Sequence, residues 1–107
     1  MPYINQSQRE KLDPIIDMLS ESIVAEAVDG ADETSCAGIL NYVCTRLILS
    51  VFRTLFARMK YWHIALISGV LSNINSEIYR KIASEFEDEK CKLNGEVPEF
   101  EVFVAGV

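Results

Sequence analysis

The chain has 107 residues, with 10 Lys plus Arg against 16 Asp plus Glu, a formal net charge of -6 and a pI near 4.7. Half of the residues are hydrophobic and only 3 are Pro and 5 Gly, which excludes a disordered low-complexity chain and limits the protein to one domain. The acidic balance, without a helix-turn-helix, zinc-finger or RNP pattern, also excludes a binder of long duplex DNA or RNA.

Ser7-Gln8-Arg9-Glu10 has the spacing of a capping box, so a first helix is expected to start near Ser7. Asp13-Pro14 predicts a restart or a kink, because Pro suits a first helical position and Asp is a good cap. Beyond it Ile15, Ile16, Leu19, Ile23 and Ala27 recur at intervals of three and four and give one apolar face. Asp29-Gly30 ends this helix at about residue 28, with Gly30 available for a left-handed cap.

Ala31 to Ser35 is polar and aperiodic, and Ser35 is expected to cap a second helix over about 35–57. Its core face reads Leu40, Val43, Cys44, Leu47, Val51 and Leu55, joined by Ile48, Phe52 and Met59. A joint at Arg58 to Lys60 leads to the longest helix, about 61–91, on which Ile64, Ile67, Leu71, Ile74, Ile78, Ile82 and Phe86 keep the helical repeat. Glu77 and Lys81 form an exposed i,i+4 pair on it. Asn94-Gly95 closes that helix, and the loose alternation that follows predicts an extended tail over 96–105.

The expected fold is therefore an all-α, three-helix domain with a long C-terminal helix and a short extended tail. Between Ile39 and Ile82, 26 of 44 residues are hydrophobic, more than three helices can shelter. A second copy of the chain is the simplest source of cover, so the fold is expected to assemble as a homo-oligomer through the second and third helices.

The long apolar stretches do not imply a membrane span, because Arg46 and Arg53 interrupt Ile39 to Phe56, and Tyr61 to Ile74 is too short. The N-terminus lacks the features of a signal peptide, so a cytoplasmic location is expected, with Cys36, Cys44 and Cys91 as free thiols. These cysteines form no Cys-x-x-Cys unit and His63 is the single histidine, so neither a metal nor a cofactor is expected.

Charge is segregated along the chain. Residues 1–45 carry net -6, residues 46–81 net +5 and residues 82–107 net -5. In the basic middle, Arg46, Arg53 and Lys60 lie seven apart, interleaved with Tyr42, Leu49 and Phe56. Guanidinium forks match phosphate or carboxylate, and aromatic rings give a base a surface to stack on. The candidate site for a small anionic, nucleotide-like ligand is thus Tyr42, Arg46, Arg53, Phe56, Lys60, Tyr61 and Trp62, with Arg80 from the third helix. The same cations also fit a plain solvated or ion-paired helix side. The acidic run Glu85-Phe86-Glu87-Asp88-Glu89 suggests an alternative, a surface that engages a host protein. No Gly-rich phosphate loop, Gly-x-Ser-x-Gly elbow or His-Glu-x-x-His is present, so no catalytic residue is assigned and hydrolysis through His63 is a minor reading.

Met1-Pro2-Tyr3-Ile4, Arg9 to Pro14, Leu40-Asn41-Tyr42 with Thr45-Arg46-Leu47, Glu77-x-Tyr79-Arg80-Lys81, Glu87-Asp88-x-Lys90 and Asn94 to Val97 follow one another in an order that resembles a family of short uncharacterised proteins from tailed phages and bacteria. The resemblance covers residues 1 to about 97 and departs at the loop 31–36 and after Pro98. It implies a phage-type accessory protein acting in the host cytoplasm. Such proteins blunt host defence by sequestering a nucleotide signal between subunits or by plugging a host protein.

Overall fold

The computed structural model describes residues 3–30 and 34–105, and the polar stretch around residues 31–33 lies outside them. The described residues are all-α, with no strand among them. The helices are α1 (Gln6–Val28), α2 (Ser35–Leu55), α3 (Tyr61–Ile78), a π-helical turn (Tyr79–Ala83), α4 (Ser84–Asn94) and α5 (Pro98–Ala105). The chain divides into two compact units, one ending at Arg58 and the other beginning at Met59.

In the first unit, α1 begins two residues before the expected cap. The Gln8 N–H donates to Asn5 Oδ1 at 2.9 Å, and Gln8 Oε1 accepts from the Asn5 N–H at 3.0 Å. Asn5 with Gln8 makes the same reciprocal box two residues earlier, satisfying the Asn5 and Gln8 N–H groups, and adds helix at the front. The expected restart at Pro14 does not occur, and α1 runs through it. Pro14 withholds one N–H, from the Glu10 carbonyl, and the helix around it supplies the rest.

Gly30 does not take the left-handed conformation, because Gly95 is the only glycine with positive φ among the described residues. Its role is space. A Cβ at Gly30 would lie 2.5 Å from Ser35 Cβ and 3.1 Å from the Ala27 carbonyl oxygen. That approach also corrects the expected cap of α2. Thr34 takes the N-cap position, while the Ser35 hydroxyl donates to the Ala27 carbonyl at 3.1 Å and ties the start of α2 to the end of α1. Ile23, Ala27, Ile39 and Val43 are half-buried near this joint. The expected core face is not enclosed: Leu40, Leu47, Val51 and Leu55 are 44 to 68 % exposed.

In the second unit, Lys60 is the N-cap of α3, and its N–H donates to His63 Nδ1 at 2.8 Å. His63 is 2 % exposed and is the one fully buried side chain among the described residues. No apolar side chain among them reaches that state. The helix expected over 61–91 extends to Asn94, but it is interrupted by the π turn, whose i→i+5 bond runs from the Ser84 N–H to the Tyr79 carbonyl. Side chains brace this turn: Tyr79 Oη donates to Glu87, Ser84 Oγ to the Arg80 carbonyl at 2.5 Å, and Arg80 and Lys81 both pair with Glu77, at 2.6 and 3.4 Å.

Gly95 closes α4 as expected, with φ 87° and ψ 160°, a conformation essentially confined to glycine. The expected extended tail is instead helix α5. Pro98 suits the first helical position, Glu99 and Glu101 sit where the helix dipole favours negative charge, and Phe100, Phe103 and Val104 share helical spacing. Between the two helices, Cys91 Sγ donates to Glu96 Oε2 at 3.3 Å. The Glu96 carboxylate first, then desolvation and the charges of Asp88 and Glu87, hold this thiol above its ordinary value.

Three outcomes follow from these local features. Pro14→Ala restores a helical hydrogen bond and raises unfolding stability by up to about 3 kcal/mol, read by denaturant melts at fixed protein concentration. Gly30→Ala forces α1 and α2 apart at Ser35 and lowers stability by about 1–3 kcal/mol in the same assay. Glu96→Gln removes the charge that opposes thiolate formation, so at pH 8 iodoacetamide alkylates Cys91 several-fold faster relative to Cys44, as read by peptide mass spectrometry.

Candidate functional site

Residues seven apart on a helix share a side two turns along the axis, about 10 Å apart. On α2 this spacing brings Arg46 and Arg53 to one groove of about 450 Å³, lined also by Thr45, Leu49, Ser50 and Thr54. The Arg46 guanidinium carbon lies 6.0 Å from the centroid of the Tyr42 ring, so the aromatic face supports the cation at the groove's end. Neither arginine has a carboxylate partner among the described residues. Thr54 Oγ1 donates to the Ser50 carbonyl at 2.8 Å, which fixes its orientation on the groove wall.

Chemically, the groove is lined by two permanent cations with an apolar residue, Leu49, and hydroxyls beside them. Such a set holds a phosphate or carboxylate by charge-assisted hydrogen bonds. The hydroxyl residues were not singled out from the sequence, although part of the signal was present: Ser50 falls four residues after Arg46 and three before Arg53, between the two on the same side of the helix, while Thr45 and Thr54 border it on either flank.

The other expected contributors belong to other elements or to the end of α2. Phe56 is the extended C-cap of α2, with its ring 5.5 Å from that of Phe52. Because α2 ends at Leu55, the spacing of seven does not continue to Lys60 on the same helix; Lys60 begins α3 in the second unit. Tyr61 is exposed beside it, and Trp62 lies against His63 with ring centroids 3.8 Å apart. Arg80 is committed to Glu77 at the π turn. The structure thus brings Tyr42, Arg46 and Arg53 together on α2 and places Lys60, Tyr61, Trp62 and Arg80 in the second unit.

Two further sites bear on chemistry. His63 Nδ1 accepts from the Lys60 backbone and Nε2 is buried, so neither ring nitrogen faces solvent for proton transfer. The acidic run of α4 forms a hollow of about 330 Å³ lined by Glu85, Phe86, Asp88, Glu89 and Lys92. Among the described residues no group of three His, Cys, Asp or Glu side chains could hold a metal ion.

α2 also has the length and composition of a membrane span, 21 residues with a mean hydropathy of 1.5 over its apolar window. Arg46 occupies its middle, and a charged side chain at the bilayer centre costs about 2.5–3.5 kcal/mol on insertion scales.

No curated protein and no solved structure matches the chain. A family profile does, over residues 1–97, and through it the chain belongs to the family described as Domain of unknown function (DUF6899).

Proposed function

We propose that the protein is a non-enzymatic binder that captures a small anionic, nucleotide-like ligand along α2, in pockets that a homo-oligomer repeats. The observation that carries this reading is the pair Arg46 and Arg53, which share one groove with no carboxylate partner among the described residues. A solvated helix side usually spreads its cations or pairs them; here two arginines line one hollow with three hydroxyl residues, and Tyr42 stands next to Arg46 as a stacking surface. Paired grooves from two copies would join four cations around one ligand and make up for the shallowness of a site built on a single helix. The resemblance to phage-type accessory proteins gives this binding a purpose, sequestration of a host nucleotide signal in the host cytoplasm.

The second reading is a partner protein, engaged through the acidic hollow of α4 or through apolar surface. It is favoured by the absence of any fully buried apolar side chain among the described residues.

Thermal melting against cyclic and linear nucleotides separates the two. A ligand at one hundred times its Kd stabilises the folded protein by about 2.7 kcal/mol, a rise of roughly 10 °C for a chain of this size. The rise is expected to vanish in Arg53→Glu and to persist in Arg80→Glu, because Arg80 already serves Glu77. Intact nucleotide recovered after heat denaturation confirms capture without hydrolysis. A flat response across the panel overturns the anion reading in favour of the protein partner, and recovery of the protein in the membrane fraction overturns it in favour of α2 as a span.

A further inference from the structure

The π turn at Tyr79–Ala83 amounts to one residue inserted into an α-helix, and its effect can be followed around the helix axis. With about 100° per residue and Ile64 as origin, Ile67, Leu71, Ile74 and Ile78 fall at about -60°, -20°, -80° and -40°. Ile64 and these four therefore share an arc of about 80° along α3. Continued as a regular helix, Phe86 and Leu93 would fall at about +40° and +20°, off that arc. The extra residue of the π turn sets them back by about 100°, to about -60° and -80°, inside it. The hydrogen bond from Tyr79 to Glu87 reports the same reset, because residues eight apart align across two turns only when one residue between them is surplus.

From this we infer that the π turn is a phase corrector, which extends one apolar stripe from Ile64 to Leu93, and that the stripe is covered by the same stripe of a second, antiparallel copy of the chain. The stripe runs along 30 residues of nearly continuous helix, about 45 Å. Apart from the half-buried Ile67, its residues Ile64, Leu71, Ile74, Ile78, Phe86 and Leu93 are 46 to 81 % exposed.

Area supports a partner of this size. Seven large apolar side chains along one helix face, six of them 46 to 81 % exposed, offer several hundred Å² of contiguous apolar surface, comparable with the roughly 800 Å² that one side of a standard interface contributes. Charge selects the partner and its direction. In a parallel pair, Glu87 and Glu89, which flank the stripe about 80° to either side of its centre, would meet the same carboxylates of the other copy. In an antiparallel pair centred between Glu77 and Ile78, these residues face the uncharged segment Leu66 to Val70, and Lys60 meets the region of Glu96. The inference concerns the second unit and does not depend on anion capture by α2 in the first.

Cysteine cross-linking tests it on a background with Cys36, Cys44 and Cys91 replaced by Ser. Ile78→Cys, next to the axis of an antiparallel pair, is expected to form a dimeric disulfide with itself. Phe86→Cys is expected to link efficiently only when mixed with Leu71→Cys. Self-linking of Phe86→Cys in preference to the mixed pair overturns the antiparallel arrangement. Light scattering of the native chain at about ten micromolar should give a dimer or a multiple of it, and a monomer overturns the second copy as occupant. Leu71→Glu and Phe86→Glu should each lower the assembled fraction at least tenfold with helicity retained, whereas Asn73→Glu, on the opposite side, leaves it unchanged. A Phe86→Glu chain that assembles as the native one does overturns the phase correction. Arg53→Glu leaves every cross-link intact, so failure of the anion reading and failure of this one are read separately.

Discussion

A half-exposed large apolar side chain leaves much of its burial free energy unrealised, and this chain holds such residues in every helix of both units. Ordering a residue costs about 1–2 kcal/mol in backbone entropy, and helices without tertiary partners are marginal in water. Apolar faces that met a further surface would recover that energy. The joint at Ser35 and Ala27, the capping box at Asn5 and the His63 acceptor at the start of α3 fix local geometry, but none of them removes much apolar area from water. The π turn belongs to the same logic. A strained turn in a helix is tolerable where it keeps apolar side chains on one line, and its bracing by Tyr79, Glu87, Glu77 and Arg80 holds it in place.

The cationic groove obeys a different constraint. The chain is strongly acidic, yet fields from exposed charges fade over about 8 Å at physiological ionic strength, so Arg46 and Arg53 act on their own hollow with little interference from distant carboxylates. Arg80 and Lys81 show the contrast. They are close in sequence to an acidic residue on the same helical side, and Glu77 absorbs them both. The distinction between a committed and an uncommitted arginine thus turns on whether a carboxylate lies three or four residues away, which holds for Arg80 and for neither Arg46 nor Arg53.

Much of this was legible in the residues. Helical periodicity located α2 and α3 within a few residues, the family resemblance was carried by its blocks, and the spacing of seven brought Arg46 and Arg53 to one side. What was not legible depended on competition between near-equal local choices. Asn5 and Ser7 both offer a capping box, and the chain takes the earlier one. Alternation after Glu96 favoured an extended tail, but Pro98 and two early glutamates favour a helix start, and the helix forms. The π turn had no sequence signal except the drift of Phe86 and Leu93 from the stripe before them, a clue that lies in the phase of the pattern and not in its residues. Lys60 was placed on one helix with Arg53 because periodicity runs on across a helix end that no Gly or Pro marks.

Pro14 carries a consequence for curvature. Around the axis of α1 it stands about 160° from the centre of the face formed by Leu12, Ile15, Ile16, Leu19 and Ile23, so the Glu10 carbonyl it deprives of a donor opens toward water. A helix whose bonds are longest on its wet side bows around its greasy one. A bow of that sense would make α1 a shallow cradle, concave where a neighbouring helix would rest, so that the missing amide that weakens it in isolation would suit it to a rounded surface.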